Sequence, residues 1–126
     1  MIGYITLGAN DLPRAAAFYD ALLALLGAER MMEGERFIAW SAGEDSPGLG
    51  VIAPFDGQPA SIGNGVMVAL HALDEAQVDA VHAKALELGA RDEGAPGPRD
   101  MPGFYAGYFR DLDGNKLNVF TISATD

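Results

Sequence analysis

Two stretches of this chain carry the same residue pattern at one fixed spacing, and that repeat limits its possible folds more than any other feature. Asp74 follows Asp11, Leu70 follows Leu7 and Met67 follows Tyr4 by the same 63 positions. In each copy a short apolar segment runs into an acidic helix-capping residue, then an Ala-rich helical stretch, then Gly-Ala (Gly27-Ala28, Gly89-Ala90). Units of half this length would be marginal alone, so they should share a core or exchange cores with a second subunit. A chain built from two copies tends to place a shared site where they meet. The residues at matched positions, Tyr4 and Met67 first among them, are therefore the leading clue to function.

The remaining elements follow from period and punctuation. Gly3 to Ala9 reads as a strand ending at Asn10-Asp11, and Pro13 sits in the first helical turn, where its missing N–H costs little. Leu12, Phe18, Tyr19, Leu22, Leu23 and Leu26 recur at helical spacing until Gly27 closes the helix in a left-handed cap. Three β segments follow, Glu29 to Met32, Arg36 to Ser41 and Leu49 to Ala53, and Pro54 to Gly65 is a Gly/Pro/Ser/Asn-rich linker. The second copy opens with a strand from Val66 to His71. Asp74 with Gln77 forms a capping box, and Val78, Val81, Ala85 and Leu88 give one apolar helical face. A short strand near Arg91 to Glu93, a loop from Gly94 to Gly103 holding three prolines, and strands Phe104 to Arg110 and Lys116 to Ile122 complete it. Each unit reads βαβββ. The expected class is α+β: two tandem βαβββ modules forming a curved, cup-like mixed sheet in a single domain over 1–126, with modules at about 1–56 and 64–126.

Composition narrows the function classes. No apolar run approaches the ~20 residues of a membrane span. No basic-then-apolar leader opens the chain, so a cytoplasmic protein is expected. With no cysteine, disulfides, thiolate metal sites and cysteine nucleophiles are all excluded. Eighteen acidic against eight basic residues give a net charge of −10, which disfavours nucleic acid and anionic lipid and favours cationic partners. The serines sit in no nucleophile motif, and no catalytic residue is assigned.

Two βαβββ units in tandem, closed by Phe109-Arg110-Asp111-Leu112-Asp113-Gly114-Asn115-Lys116-Leu117, resemble the vicinal oxygen chelate superfamily of glyoxalases, extradiol dioxygenases and bleomycin-resistance proteins. More closely, the chain looks like the small bacterial glyoxalase-like proteins. In metal-dependent members a divalent ion sits in the cup, held typically by histidine on the first strand of each unit and glutamate on the last. The resemblance carries those positions onto Tyr4, Met67 and Asn118, with Gly50 at a possible fourth. A phenol, a thioether and an amide do not form a tight site for zinc, nickel, manganese or iron, so no metal and no cofactor are expected. His71 lies too far along its strand to complete a site, and His82 reads as structural. Asp111-x-Asp113-Gly114 lacks the later ligands of a calcium loop and reads as a hairpin turn.

With Tyr4, Met67 and Asn118 as the floor, strand alternation suggests Trp40 and Tyr108 as walls, with Tyr105 and Phe104 at the rim. Trp40 reads equally as core. Arg110, on the Tyr108 side of its strand, is placed to meet an anionic group of a substrate, but pairing with Asp111 or Asp113 is the stronger expectation. The resulting expectation is a metal-free small-molecule-binding protein that sequesters an aromatic or cationic compound. The alternative is a glyoxalase- or dioxygenase-type enzyme acting on a small organic substrate. A homodimer is expected from half-size units with exposed sheet edges.

Overall fold

Asp11 and Asp74 start the two helices as the sequence requires. The Asp11 carboxylate accepts from the Arg14 amide (3.1 Å). Asp74 accepts from the Gln77 amide (2.8 Å), while the Gln77 side chain reaches back to the Leu73 amide (2.7 Å). Each cap satisfies a backbone N–H that the first turn leaves unpaired. These helices organise a computed structural model that describes residues 1–123. The chain divides into two compact units, Met1–Ile62 and Gly63–Asp126, with the boundary inside the predicted linker. The last three positions of the expected second module, 124–126, lie outside the described residues. Among the described residues, no helix is long and apolar enough to cross a membrane.

The first unit runs β1 (Tyr4–Gly8), α1 (Leu12–Ala24), β2 (Glu29–Glu33), β3 (Phe37–Ser41) and β4 (Gly48–Ile52), with sheet order β1-β4-β3-β2. β1 and β4 are parallel and the other pairs antiparallel. Helix α1 packs on one face of the sheet, burying Phe18, Tyr19, Leu22 and Leu23 with Ile38, Trp40 and Val51. Each such side chain contributes roughly 1.5–3 kcal/mol of hydrophobic stabilisation. On the opposite face the strands press close. A Cβ on Gly50 would stand 2.6 Å from the Phe37 ring, and one on Gly48 would meet Met31 Sδ at 2.9 Å.

The second unit repeats the plan with β5 (Val68–His71), α2 (Glu75–Glu87), β6 (Arg91–Pro98), β7 (Phe104–Arg110) and β8 (Lys116–Ile122), in order β5-β8-β7-β6. β5 runs parallel to β8. The ladders of the two units match in register. Ile5 opposes Leu49 as Val68 opposes Leu117, and Ala39 opposes Gly50 as Tyr108 opposes Asn118. The cores match too, since Tyr19 meets Trp40 at 5.7 Å between ring centroids and His82, 63 residues on from Tyr19, meets Phe109 at 6.3 Å.

Two boundaries differ from expectation. The stretch from Gly94 to Pro98 is strand rather than loop, pairing with β7 through two register shifts. β6 is an edge strand, so Pro96 and Pro98 withdraw no hydrogen bond that the sheet interior needs. β5 begins at Val68, which leaves Val66 and Met67 ahead of the ladder. Gly63 to Gly65 before them forms a turn closed by the Val66 amide on the Gly63 carbonyl.

Candidate functional site

Asn118 is the anomaly of the second unit. It lies in the middle of β8, is 2% exposed, and its Oδ1 has no hydrogen-bond partner. A buried amide oxygen left unpaired costs about 1–3 kcal/mol, so such a group is retained for a reason other than stability. Its neighbours Leu117 and Val119 are wholly buried and alternate to the α2 side of the sheet, which leaves Asn118 on the face turned away from the helix. Opposite residues on adjacent strands share a face, and Asn118 is flanked by Ala69 on β5 and Tyr108 on β7.

The rest of that face is sorted along the strands. Toward the start of β8, Lys116 Nζ stands 5.6 Å from the Tyr108 ring centroid, and the Arg99 guanidinium stands 5.2 Å from it. Arg99 is held in place by carbonyls of its own segment, those of Ala95, Gly97 and Pro98. Toward the end of β8, Phe120 stacks on His71 (5.0 Å, 15° between planes) and on Phe104 (5.6 Å, 21°). The face therefore has a cationic end, an amide at its centre and an aromatic end. Residues at i and i+2 on a strand lie about 6.8 Å apart, which suits a planar molecule of a few rings at most.

Arg110 also belongs to this face but is already committed. It donates to Glu93 (2.7 Å) and to the Gly114 carbonyl (3.1 Å), so its partner is Glu93 rather than the hairpin aspartates. Hydrogen bonds from Arg110 and then Arg91 hold the Glu93 carboxyl below its usual range. Asp111 instead builds the hairpin, accepting from the Asp113 and Asn115 amides (2.9 Å each).

Within each unit, the residues singled out from the sequence divide between the two faces of the sheet. Asn118 and Tyr108 are neighbours on the face turned away from α2. Tyr105, three positions from Tyr108, falls on the helix side, where its hydroxyl donates to Asp79 of α2 (2.6 Å) and its own ionisation is pushed up by that bond. Trp40 faces α1, not an open face. It is 2% exposed, and its indole N–H donates to Asp20 (2.8 Å). Tyr4 is 62% exposed beside Phe37 on the open face of the first sheet, and Met67, 41% exposed, precedes β5. Lys116 and Phe120 were legible beside Asn118, because both share its strand parity. Arg99 carried no such signal, coming from the connection after β6.

The model of the Glyoxalase/Bleomycin resistance protein/Dioxygenase superfamily matches residues 1–119. The chain belongs to that superfamily. A glyoxalase/bleomycin resistance protein from Albidiferax ferrireducens T118 is 34% identical, with 98% of this chain and 99% of that one covered at a TM-score of 0.89. Two more distant superfamily-like structures share the fold. Lactoylglutathione lyase from Agrobacterium tumefaciens is 24% identical over 96% of this chain and 92% of its own, with a TM-score of 0.70. A glyoxalase/bleomycin resistance protein/dioxygenase family enzyme from Burkholderia phytofirmans PsJN is 15% identical over 96% and 98%, with a TM-score of 0.76. No functionally curated protein sequence matches the chain.

The metal of the superfamily's metal-dependent members does not fit the residues present. Thr6 opposes Gly50 and Ala69 opposes Asn118 at the corresponding rungs of the two units, and these supply one hydroxyl and one amide. Tyr4 and Met67 add a phenol and a thioether. Among the described residues, no three His, Asp or Glu side chains come together, and a divalent Lewis acid needs imidazole or carboxylate donors to stay bound.

Proposed function

We propose that this superfamily member binds a small planar organic molecule on the face of its second sheet turned away from α2, without a metal, using Asn118 as the polar anchor. The observation that carries this reading is the buried, unpartnered Asn118 Oδ1 on a face that ends in the Phe120 stack. A ligand hydroxyl or amide N–H would satisfy that oxygen, while a ring would extend the stack along Phe120. Because Oδ1 is closed to solvent in the free protein, the ligand reaches it as neighbouring side chains move aside.

The test is a screen of planar hydroxy- and amide-bearing fragments by thermal shift, repeated on Asn118→Val. Fragments that raise the melting temperature of the natural protein and lose that effect in the variant support the reading. If no hit depends on Asn118, the reading fails. Incubation with zinc, nickel, manganese and ferrous iron, followed by dialysis and mass-spectrometric metal analysis, checks the other half. Near-stoichiometric metal that is lost on changing Tyr4 or Asn118 would overturn it and restore the enzyme alternative, whose signature is turnover abolished by chelation or by Tyr4→Phe.

A further inference from the structure

Net charge and local charge disagree on the face of the second sheet turned away from α2. The chain carries −10 overall and only eight basic residues, yet two of those eight share a single ring, Arg99 at 5.2 Å and Lys116 at 5.6 Å from the Tyr108 centroid. Most other cations are matched by carboxylates: Arg30 with Asp20 and Glu33, Lys84 with Glu87, and Arg91 and Arg110 with Glu93. Among the described residues, neither Arg99 nor Lys116 has such a partner. The bonds of Arg99 go to backbone carbonyls, which orient the guanidinium without neutralising it. Gly94 lies against this group: a Cβ there would stand 3.3 Å from the Tyr108 ring and, in ordinary contact, 3.5 Å from an Arg99 nitrogen. Neither charge is offset by a carboxylate in salt-bridge contact, so an anion placed at this ring would be attracted by both.

We infer that the ligand bears an anionic group, a carboxylate or a phosphate, received by Arg99 and Lys116 beside Tyr108, while its planar body lies over Asn118 and Phe120. The inference rests on the binding reading above and names the ligand class for that site. It also runs against the cationic ligand that the net charge suggests, because the ring of Tyr108 already holds two of the protein's own cations.

An isosteric series tests it: 4-hydroxybenzoate, 4-hydroxybenzamide and 4-hydroxybenzamidine, which are anionic, neutral and cationic with one shape. Each is titrated to millimolar concentrations into the natural protein and followed through the backbone amide resonances of β7 and β8. The expected result is that the benzoate binds at least about tenfold more tightly than the amide and that the amidine does not bind. In Lys116→Gln the benzoate should lose about tenfold and the amide nothing, and Lys116→Arg should restore the preference. Rising salt should weaken the benzoate alone. If the three bind equally, or the amidine binds best, with shifts that vanish in Asn118→Val, the anion inference is overturned and the binding face stands. If none moves the β7 and β8 resonances, both are overturned.

Discussion

Asn118→Val should make the free protein more stable, not less. The amide is 2% exposed with an unpartnered Oδ1, and its unsatisfied burial costs about 1–3 kcal/mol. Valine has one side-chain heavy atom fewer, so it fits without crowding, and the small void it leaves costs about 0.5–1.5 kcal/mol, as in a one-methylene core truncation. Its branched side chain favours a central strand, by some fraction of the ~1 kcal/mol range of strand preferences. The net is a gain of about 1–2 kcal/mol. For a chain of 126 residues, where 1 kcal/mol moves the midpoint by about 4 °C, that is a rise of about 4–8 °C. Thermal melts followed by circular dichroism at neutral pH read it directly. Asn118→Ala, which removes the same amide but leaves a larger void, should gain less. A midpoint several degrees lower for the valine variant would mean that Oδ1 is satisfied in solution, and the argument from an unpaired amide to a ligand would collapse.

Three further outcomes follow from other parts of the structure. Gly50→Ala puts a Cβ 2.6 Å from the Phe37 ring and should cost about 1–3 kcal/mol in urea unfolding as the ring is displaced; adding Phe37→Ala should remove most of the coupling, and additive effects would refute the contact. The hydrogen bond from Arg30, aided by that from Trp40 and opposed by burial, holds the Asp20 carboxyl below its usual range. Its contribution to stability is therefore present above about pH 4 and lost as pH falls through the lowered value, so Asp20→Asn should flatten the melting temperature profile in that acid window; an unchanged profile would show that the Arg30 pair contributes nothing in solution. Trp40, packed on Tyr19 and bonded to Asp20, should emit at short wavelength and resist acrylamide quenching, whereas emission typical of a solvated indole would place it elsewhere than the α1 face.

The fold was written in the sequence because its signals are local and strong. Asp11, Asp74, Gln77 and the terminating Gly27 and Gly89 act through bonds and backbone angles set within a few residues, and each helix appears where they place it. The site was only half legible, since alternation says which residues share a face but not which face meets the helix. In Phe37-Ile38-Ala39-Trp40-Ser41 both parities are apolar, and nothing in the run tells that Trp40 turns to α1. Tyr105 and Tyr108, three apart, could not both line one face of a regular strand, a conflict visible without coordinates. Pro96 and Pro98 looked like loop because proline is excluded from central strands; an edge strand lifts that exclusion. Arg99 reaches Tyr108 through a connection whose path no periodicity encodes.

The matched registers of the two units also say where such a molecule is free to change. On the helix side the copies have kept one solution, an aromatic pair under the helix, Tyr19 with Trp40 and His82 with Phe109. On the other side the same rungs hold Ala39 and Gly50 in one copy and Tyr108 and Asn118 in the other. A duplicated unit thus keeps a conserved inner grammar and an outer surface on which new words can be written. Ligand preference could drift, or be redesigned, by rewriting a handful of outward positions in one copy while the packing that folds both stays as it was.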